Sequence, residues 1–264
     1  MRALLLVVFT SVLLTLAACE TNSEETLVVG LECDYAPFNW TSQEGGEPID
    51  GQPFYCDGYD VEIARLIAAE LDRELVIRQV SWEGLIPALQ SGSIDAIIAG
   101  MSPTAERAES VRFTDPYFVS EQVLVMRESS DFVGATSLND LAGARVVAQL
   151  GTLQDRLIEQ IPNVDHQTPL ETYASLVTAV SSGASDMLIA ELPVALSITA
   201  NNPQLITVKL EEGFVVEASD VSVSVAVHLD QAALQETINA ALALISVETR
   251  EALMTDALSR ADAE

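Results

Sequence analysis

Between residues 27 and 99, strand-like apolar runs alternate with helix-like amphipathic segments, and this alternation limits the possible folds more than any other feature. The apolar runs are Leu27–Leu31, Leu75–Val80 and Ile94–Ala99. The helical segments between them are Tyr59–Leu71 and Trp82–Gln90, identified by apolar residues at helical spacing. Ile94–Ala99 does not alternate with polar residues, which predicts a strand buried on both faces. The β-α-β-α-β order predicts a parallel sheet covered by helices.

A second unit of the same kind follows a break in the pattern at Phe113–Tyr117. Its strand-like and helix-like segments include Gln122–Met126, a short helical turn at Leu138–Leu141, Arg145–Ala148, a helix that ends at Gln160, Leu170–Ser181, Asp186–Ala190 and a helix opened by Pro193. A strand at Val221–Val227 and helices at Gln231–Ile245 and Glu248–Ser259 come last. We therefore expect an α/β fold of two lobes, each a mostly parallel sheet flanked by helices.

The first eighteen residues are typical of a targeting segment. Arg2 precedes an apolar stretch, Ala3–Leu14, that is too short to favour a stable membrane span. The tetrapeptide Leu16–Cys19 resembles a bacterial lipobox, which implies a signal peptide over residues 1–18 and lipidation of Cys19. An ordinary signal peptide cut near Ala18 is the alternative. The lipobox resemblance implies that residues 19–26 form a polar tether and that the domain lies outside the cytoplasm, anchored to the cell membrane at the cell surface or in the periplasm.

The chain is strongly acidic, with 40 acidic and 12 basic residues and a formal net charge of −28. Removal of residues 1–18 takes away Arg2 and no acid. A chain of this charge repels nucleic acid and anionic membrane surfaces, so neither is an expected partner.

Two cysteines remain beyond the lipobox, Cys33 and Cys56. Export to an oxidising compartment makes a disulfide the first interpretation, and a loop of this length could gain about 3 kcal/mol. Two free buried thiols or half of a metal site are the alternatives. His166 and His228 lie far away in the sequence and lack ligand spacing, so we expect no metal and no cofactor.

Polar and aromatic residues follow several predicted strands, where an open parallel sheet binds its ligands. In the first lobe these are Asp34, Tyr35, Trp82 and the segment Gly100–Arg107; in the second they are Gly151-Thr152 and Glu191. Arg107 follows the small residues Ala99-Gly100 and the hydroxyl of Ser102. A guanidinium near free backbone amides suits a carboxylate. A surface arginine after an ordinary turn is the alternative.

Five ordered motifs connect the chain to a known family. They are Asp34-Tyr35-Ala36-Pro37-Phe38, Gly58–Ala64, Trp82–Leu89, Ile94–Arg107 and Phe113–Tyr117. With these motifs, the chain resembles the family-3 extracellular solute-binding proteins, the polar amino-acid receptors of ABC importers, over Leu27–Ala263. The resemblance implies a type II periplasmic-binding-protein fold with two lobes joined by two hinge strands. Lobe 1 comprises residues 27–120 plus 221–264, and lobe 2 comprises residues 121–220.

The resemblance also implies which residues hold the α-groups of a ligand. Arg107 clamps the α-carboxylate, together with the Ser102 hydroxyl and the backbone around Ala99 and Gly100. Thr152, at a helix start in the other lobe, binds the same carboxylate. Glu191 replaces the aspartate that usually pairs with the α-ammonium, so its longer side chain is a departure, and a solvated acid is the alternative interpretation.

The ligand side chain is expected between the aromatic rings of Tyr35 and Trp82, for which core packing is the alternative. Glu32 is the first candidate for its distal end, with Gln149 and Ala190 as further candidates, and Leu153 makes the wall more apolar than in many relatives. An acid with two aromatic rings favours a cationic side chain such as that of arginine, lysine or ornithine. Glutamine or histidine would also satisfy these groups.

The function implied is therefore that of a monomeric binding lipoprotein that closes on an amino acid and delivers it to an ABC permease. The alternative from a different class is an enzyme similar to the periplasmic cyclohexadienyl dehydratases, with Glu191 or Glu32 as general acid. The sequence has no Gly-x-Ser-x-Gly nucleophile motif.

Overall fold

A computed structural model describes residues 25–261. The predicted signal peptide, Cys19 and all of the tether before residue 25 lie outside the described residues. The strands are β1 (Thr26–Leu31), β2 (Asp34–Tyr35), β3 (Asn39–Ser42), β4 (Glu47–Pro48), β5 (Tyr55–Asp57), β6 (Glu74–Gln79), β7 (Ala96–Ile97), β8 (Val111–Val119), β9 (Gln122–Arg127), β10 (Arg145–Val147), β11 (Asp165–His166), β12 (Met187–Glu191), β13 (Leu205–Val208) and β14 (Ser222–His228). The helices are α1 (Tyr59–Glu70), α2 (Leu85–Gln90), α3 (Ala105–Ala108), α4 (Leu153–Leu157), α5 (Tyr173–Ser181), α6 (Leu192–Asn201), α7 (Ala232–Leu244) and α8 (Val247–Ala261).

The first lobe is built on a sheet with the order β6-β1-β7-β14-β8. β1 pairs in parallel with β6 and β7, which confirms the predicted β-α-β-α-β unit. β14 comes from a later part of the chain, after the second lobe, and is antiparallel to both of its neighbours. The sheet is therefore mixed. Only Ala96–Ile97 of the predicted strand Ile94–Ala99 pairs in the sheet. Both of its faces are nevertheless covered, because Ile97 and Ile98 belong to different apolar clusters.

Helix α1 forms where apolar residues recur at helical spacing. Val61, Ala64, Ile67 and Ala68 are buried on one face of the helix, and its end lies one residue from the predicted one. The predicted helix Trp82–Gln90 is divided into a 3₁₀ turn and α2.

The second lobe has a sheet with the order β11-β10-β12-β9-β13. β10 is parallel to β11 and β12, while β9 is antiparallel to β12 and β13. The predicted helix Leu170–Ser181 begins later, at Tyr173, because the Thr172 side chain accepts a hydrogen bond from the Ser175 amide and caps the helix there. Together the two mixed sheets with their helices confirm the predicted two-lobed α/β class.

A small third sheet, with the order β2-β3-β5-β4, lies between β1 and α1 and was not predicted. Its strands contain two to four residues, too few to produce a recognisable alternation. A disulfide joins Cys33 to Cys56, whose Cα atoms are 5.7 Å apart. The bond holds the turn that follows β1 against β5 of this small sheet.

The chain crosses between the two lobes after β8 and again before β14. The two crossings lie side by side, since the Ser120 amide donates a hydrogen bond to the Val221 carbonyl at 2.9 Å. The break predicted at Phe113–Tyr117 lies inside the nine-residue β8, whose pairing with β14 shifts register near Ser224. The predicted lobe boundaries, 27–120 plus 221–264 and 121–220, stay a prediction. Within residues 25–261, no helix has the length and apolarity needed to cross a membrane.

Candidate functional site

A pocket lies between the lobes, at the ends of their central strands. Nine of the ten residues predicted to bind a ligand line this pocket: Glu32, Tyr35, Trp82, Gly100, Ser102, Arg107, Gln149, Thr152 and Glu191. The cavity between these residues has a volume of about 20 Å³. The structure does not bring Ala99 to the pocket wall, because its side chain packs in the apolar cluster of Leu85 and Ile94.

The carboxyl ends of the strands carry the lining residues to one place. Glu32 follows β1 and Gly100 follows β7, while Gln149 follows β10 and Glu191 is the last residue of β12. β1 and β7 are parallel neighbours in one sheet, and β10 and β12 are parallel neighbours in the other. The four residues therefore meet where the two sheets face each other.

Arg107 lies in the short helix α3, which Thr104 caps by accepting a hydrogen bond from the Arg107 amide. The side chain is buried, with its guanidinium carbon 5.0 Å from the centre of the Trp82 ring. The guanidinium donates to the backbone carbonyls of Ser102, at 2.9 Å, and of Gly151 in the other lobe, at 3.3 Å. Burial lowers the pKa of Arg107 to about 10, so the group stays charged at neutral pH. Because carbonyls do not neutralise it, the site offers a positive charge to an anion.

Glu191 supplies the opposite charge from the second lobe. It ends β12, stands at the N-cap position of α6 and is buried. Its carboxylate accepts hydrogen bonds from the Tyr35 hydroxyl of the first lobe and from Gln154 Nε2 at 2.8 Å. Burial raises the pKa of Glu191, and these two hydrogen bonds oppose that rise. The Glu191 side chain, one methylene longer than the aspartate of the family pattern, thus contacts the first lobe.

The two predicted aromatic residues have different surroundings. Tyr35 is buried, with its ring 5.4 Å from that of Phe38 and 4.7 Å from that of Tyr173. A side chain at Gly100, where φ is +64°, would meet the Tyr35 ring at 2.8 Å, so glycine permits this close approach. Trp82 is only partly buried, lies against Arg107 and donates from Nε1 to the Gly151 carbonyl at 3.3 Å.

Glu32 and Gln149 meet across the pocket from opposite lobes. Gln149 Nε2 donates to the Glu32 carboxylate at 2.8 Å and to the Glu171 carbonyl at 3.0 Å. Burial is the main cause that raises the pKa of Glu32, to about 7. The negative charge of Asp34 adds to the rise, while the hydrogen bond from Gln149 opposes it. This end of the pocket therefore holds a carboxyl whose charge changes near neutral pH.

Two residues that line the pocket, Gln154 and Tyr173, were not predicted from the sequence. Gln154 lies two residues after Thr152, in the first turn of α4, and Tyr173 is the first residue of α5. Both residues lie at a helix start that faces the pocket. Predicting them from the sequence would require the correct boundaries of α4 and α5. Leu153, predicted as an apolar wall, also lines the pocket.

No group of three or more His, Cys, Asp or Glu side chains able to hold a metal ion occurs within residues 25–261.

The chain belongs to the bacterial extracellular solute-binding proteins, family 3, whose family model matches residues 27–255. It is 34% identical to a probable histidine-binding protein of Campylobacter jejuni over 202 residues, 75% of this chain and 74% of that protein. It is 30% identical to the arginine-binding extracellular protein ArtP of Bacillus subtilis, over 81% of this chain and 79% of the relative.

A similar solved structure is that of AbpA from Streptococcus pneumoniae, an amino acid ABC transporter substrate-binding protein bound to L-arginine. It has a TM-score of 0.77 and 31% identity, with 92% of this chain and 98% of that chain covered. The fold class and the predicted family are thereby confirmed.

Proposed function

We propose that this protein captures an L-amino acid outside the cytoplasm and presents it to an ABC permease. The observation that carries the proposal is a buried guanidinium and a buried carboxylate in one pocket, contributed by opposite lobes. Arg107 and Glu191 are each hydrogen-bonded to neutral groups. An α-amino acid carries the two complementary charges on adjacent atoms, so it can satisfy both residues at once.

The α-carboxylate is assigned to Arg107, whose fork of N–H groups suits two oxygens. Ser102 and the backbone at Gly100 lie beside it in the first lobe, and Thr152 approaches from the second. The α-ammonium is assigned to Glu191. The approach of a cation would lower the pKa of this buried carboxyl and keep it ionised.

The ligand side chain is assigned to the end of the pocket formed by Glu32 and Gln149. An ionised Glu32 would pair with a cationic group, and Gln149 can donate to or accept from an amide. Relatives named for arginine and for histidine support a ligand with a nitrogen-rich side chain. We therefore propose a polar amino acid and place cationic ones first: arginine, lysine and ornithine.

Capture is proposed to proceed by closure of the two lobes. Hydrogen bonds that join Tyr35 to Glu191 and Glu32 to Gln149 cross from one lobe to the other, and this supports a closed state stabilised at the pocket itself. The moving units would be residues 27–120 plus 221–264 and residues 121–220. Closure removes water from the charged groups and thereby strengthens their interaction with the ligand.

Anchoring is proposed through lipidated Cys19 after removal of residues 1–18, with residues 19–26 as the tether. The protein would act as a monomer, and the Cys33–Cys56 disulfide would form after export. We propose that it carries out no chemical step. Conversion of arogenate by the purified protein would instead favour the dehydratase alternative.

The test is a thermal-shift screen with the twenty amino acids, ornithine and citrulline, followed by calorimetry on the ligands that bind. A ligand that binds only the folded protein raises the melting temperature. We expect cationic amino acids to give the largest shifts. Shifts from apolar amino acids alone would contradict the assignment of Glu32, and no shift from any amino acid would contradict the function.

A further inference from the structure

Asp60 is a buried carboxylate outside the pocket, in the Gly58–Ala64 motif, and the proposed binding mechanism does not use it. It lies in the first turn of α1 and is fully inaccessible to solvent. The Tyr117 hydroxyl donates to its Oδ1 at 2.6 Å, and Asn39 Nδ2 donates to its Oδ2 at 2.8 Å. An ionised side chain is costly to bury unless its hydrogen bonds are satisfied, so these donors are needed.

The partners of Asp60 lead to both ligand-binding turns of the first lobe. Asn39 also accepts a hydrogen bond from the Cys33 amide at 2.7 Å through its Oδ1. Cys33 has a φ of +53° and forms the turn between Glu32 and Tyr35. The turn at Gly100 packs against the Tyr35 ring, and a hydrogen bond from the Gly100 backbone lowers the pKa of the Asp60 carboxyl. One carboxylate thus connects the turn of Glu32 and Tyr35 with the turn that leads to Arg107.

The third connection runs to the strand that crosses between the lobes. Tyr117 lies in β8, three residues before Ser120 at the crossing. The neighbour of Asp60 in the helix, Tyr59, donates from its hydroxyl to the Tyr117 carbonyl at 2.9 Å. Two consecutive residues at the start of α1, Tyr59 and Asp60, are therefore hydrogen-bonded to Tyr117 of β8.

We infer that Asp60 is a positioning residue for ligand binding, which fixes the Cys33 and Gly100 turns relative to each other and to the crossing strand β8. This inference rests on the proposed function. The carboxylate can accept from all of its donors at once, whereas a carboxamide offers one oxygen and places an N–H group against one of them. Loss of the negative charge should therefore loosen both turns while the core of α1 stays packed.

The test compares Asp60→Asn with Asp57→Asn as a matched control. Asp57 is also a buried acid in this part of the chain, but it pairs with Arg260 at 3.0 Å. Binding of L-arginine, L-histidine and L-glutamine is measured by calorimetry, and stability by urea denaturation.

At pH 7.5 we expect Asp60→Asn to weaken binding of each ligand about tenfold, because a hydrogen-bonded charge is lost. Its urea midpoint should stay close to that of the wild type, since burial raises the pKa of Asp60 to about 6, and removal of the costly buried charge offsets the hydrogen bond that the carboxamide loses. Asp57→Asn should show the reverse, with a lower urea midpoint and unchanged affinity.

The pH dependence separates positioning from a merely structural role. Below about pH 6 the wild-type Asp60 is itself protonated, so the ratio of the two dissociation constants, variant over wild type, should fall towards one. The titratable groups that face Asp60 are Tyr59 on α1 and Tyr117 on β8, which stay protonated in this range. Glu32 and Glu191 titrate in both proteins and cancel in the ratio.

Wild-type affinity in Asp60→Asn, or a ratio independent of pH, would overturn the inference. Should Asp60→Asn fail to fold, Tyr117→Phe removes a single donor to the same carboxylate and is expected to weaken binding about threefold; unchanged affinity in that variant would contradict the inference. If the folded wild type binds no amino acid of the thermal-shift screen, the proposed function fails, and the inference fails with it.

Discussion

The two ends of the pocket use charge in different ways. At the end formed by Arg107 and Glu191, a cation and an anion come from opposite lobes, and in the proposed function they bind the α-groups that every amino acid has. At the end formed by Glu32 and Gln149, a carboxyl faces a carboxamide, and what they meet depends on the ligand side chain. The first end is suited to recognising the class of ligand, and the second to selecting within the class.

Burial sharpens this difference. It lowers the pKa of Arg107 only to about 10, so the charge of that group is constant at physiological pH. It raises the pKa of Glu32 to about 7, so the charge at the other end varies in the same range. The comparison predicts that changes at the first end weaken every ligand alike, whereas changes at the second end alter their ranking.

The largest effect is expected from Arg107→Ala. Truncation of one partner in a buried charge pair costs about 2–5 kcal/mol, which corresponds to a loss of about 30-fold or more in affinity. Calorimetry should find this loss for cationic and neutral amino acids alike. Arg112→Ala is the control, because Arg112 binds the Leu229 carbonyl on an exposed surface and should leave affinity unchanged. A change in ranking instead of a common loss would break the comparison.

Glu191→Gln should rank second, with affinity reduced about tenfold for every amino acid, because a hydrogen bond to a charged group is replaced by one to a neutral group. The stability of the Glu191→Gln variant should increase, although its affinity falls. Because burial raises the pKa of Glu191, the wild-type carboxyl destabilises the fold as pH rises through its pKa, and glutamine removes that cost. The melting temperature at pH 7.5 should therefore rise. A fall in both affinity and melting temperature would mean that Glu191 is structural.

Glu32→Gln should change selectivity rather than binding as such. Arginine affinity is expected to fall about threefold to tenfold through loss of a charge partner, with glutamine affinity little changed. In the wild type, arginine affinity should rise with pH until about pH 7 and then level off, because Glu32 is ionised above that point. Calorimetry between pH 5.5 and 8.5 measures both effects. A pH profile that persists in Glu32→Gln would assign the titration to another group.

The parts of the fold that sequence reasoning predicted share a physical basis in local periodicity. The spacing in Tyr59–Leu71 and the apolar runs of β1 and β12 are repeated over enough residues to be recognised. The small sheet that contains β4 was missed because pairing between distant short segments, and not local pattern, defines it. The direction of β9 in its sheet is likewise set by long-range pairing.

The site was predictable where residues follow strands or match a family motif, as Arg107 and Glu32 do. Tyr173 was missed because the predicted helix began at Leu170. In the structure the helix begins at Tyr173, which places that side chain at the pocket. The contact between Tyr35 and Glu191 joins residues 156 positions apart, and it exists only because the lobes meet. No pattern along the chain contains that information.

The smallest effect is expected from Arg156→Ala, which tests whether closure depends on contacts outside the pocket. Arg156 and Glu106 form an ion pair between the lobes at 2.7 Å, with side chains 44% and 77% exposed. Exposed pairs contribute about 0–1 kcal/mol, so affinity should fall at most about threefold, equally for all ligands. The loss is partly offset because the charge of Arg156 lowers the pKa of Arg107, and its removal relieves that repulsion.

Calorimetry at low and high salt distinguishes these two contributions, since salt screens the exposed pair more than the buried guanidinium. Arg145→Ala is the matched control, because Arg145 pairs with Asp186 inside one lobe and should change stability without changing affinity. A loss well above threefold in Arg156→Ala would mean that the closed state depends on the surface pair. The charges of the pocket would then no longer account for closure on their own.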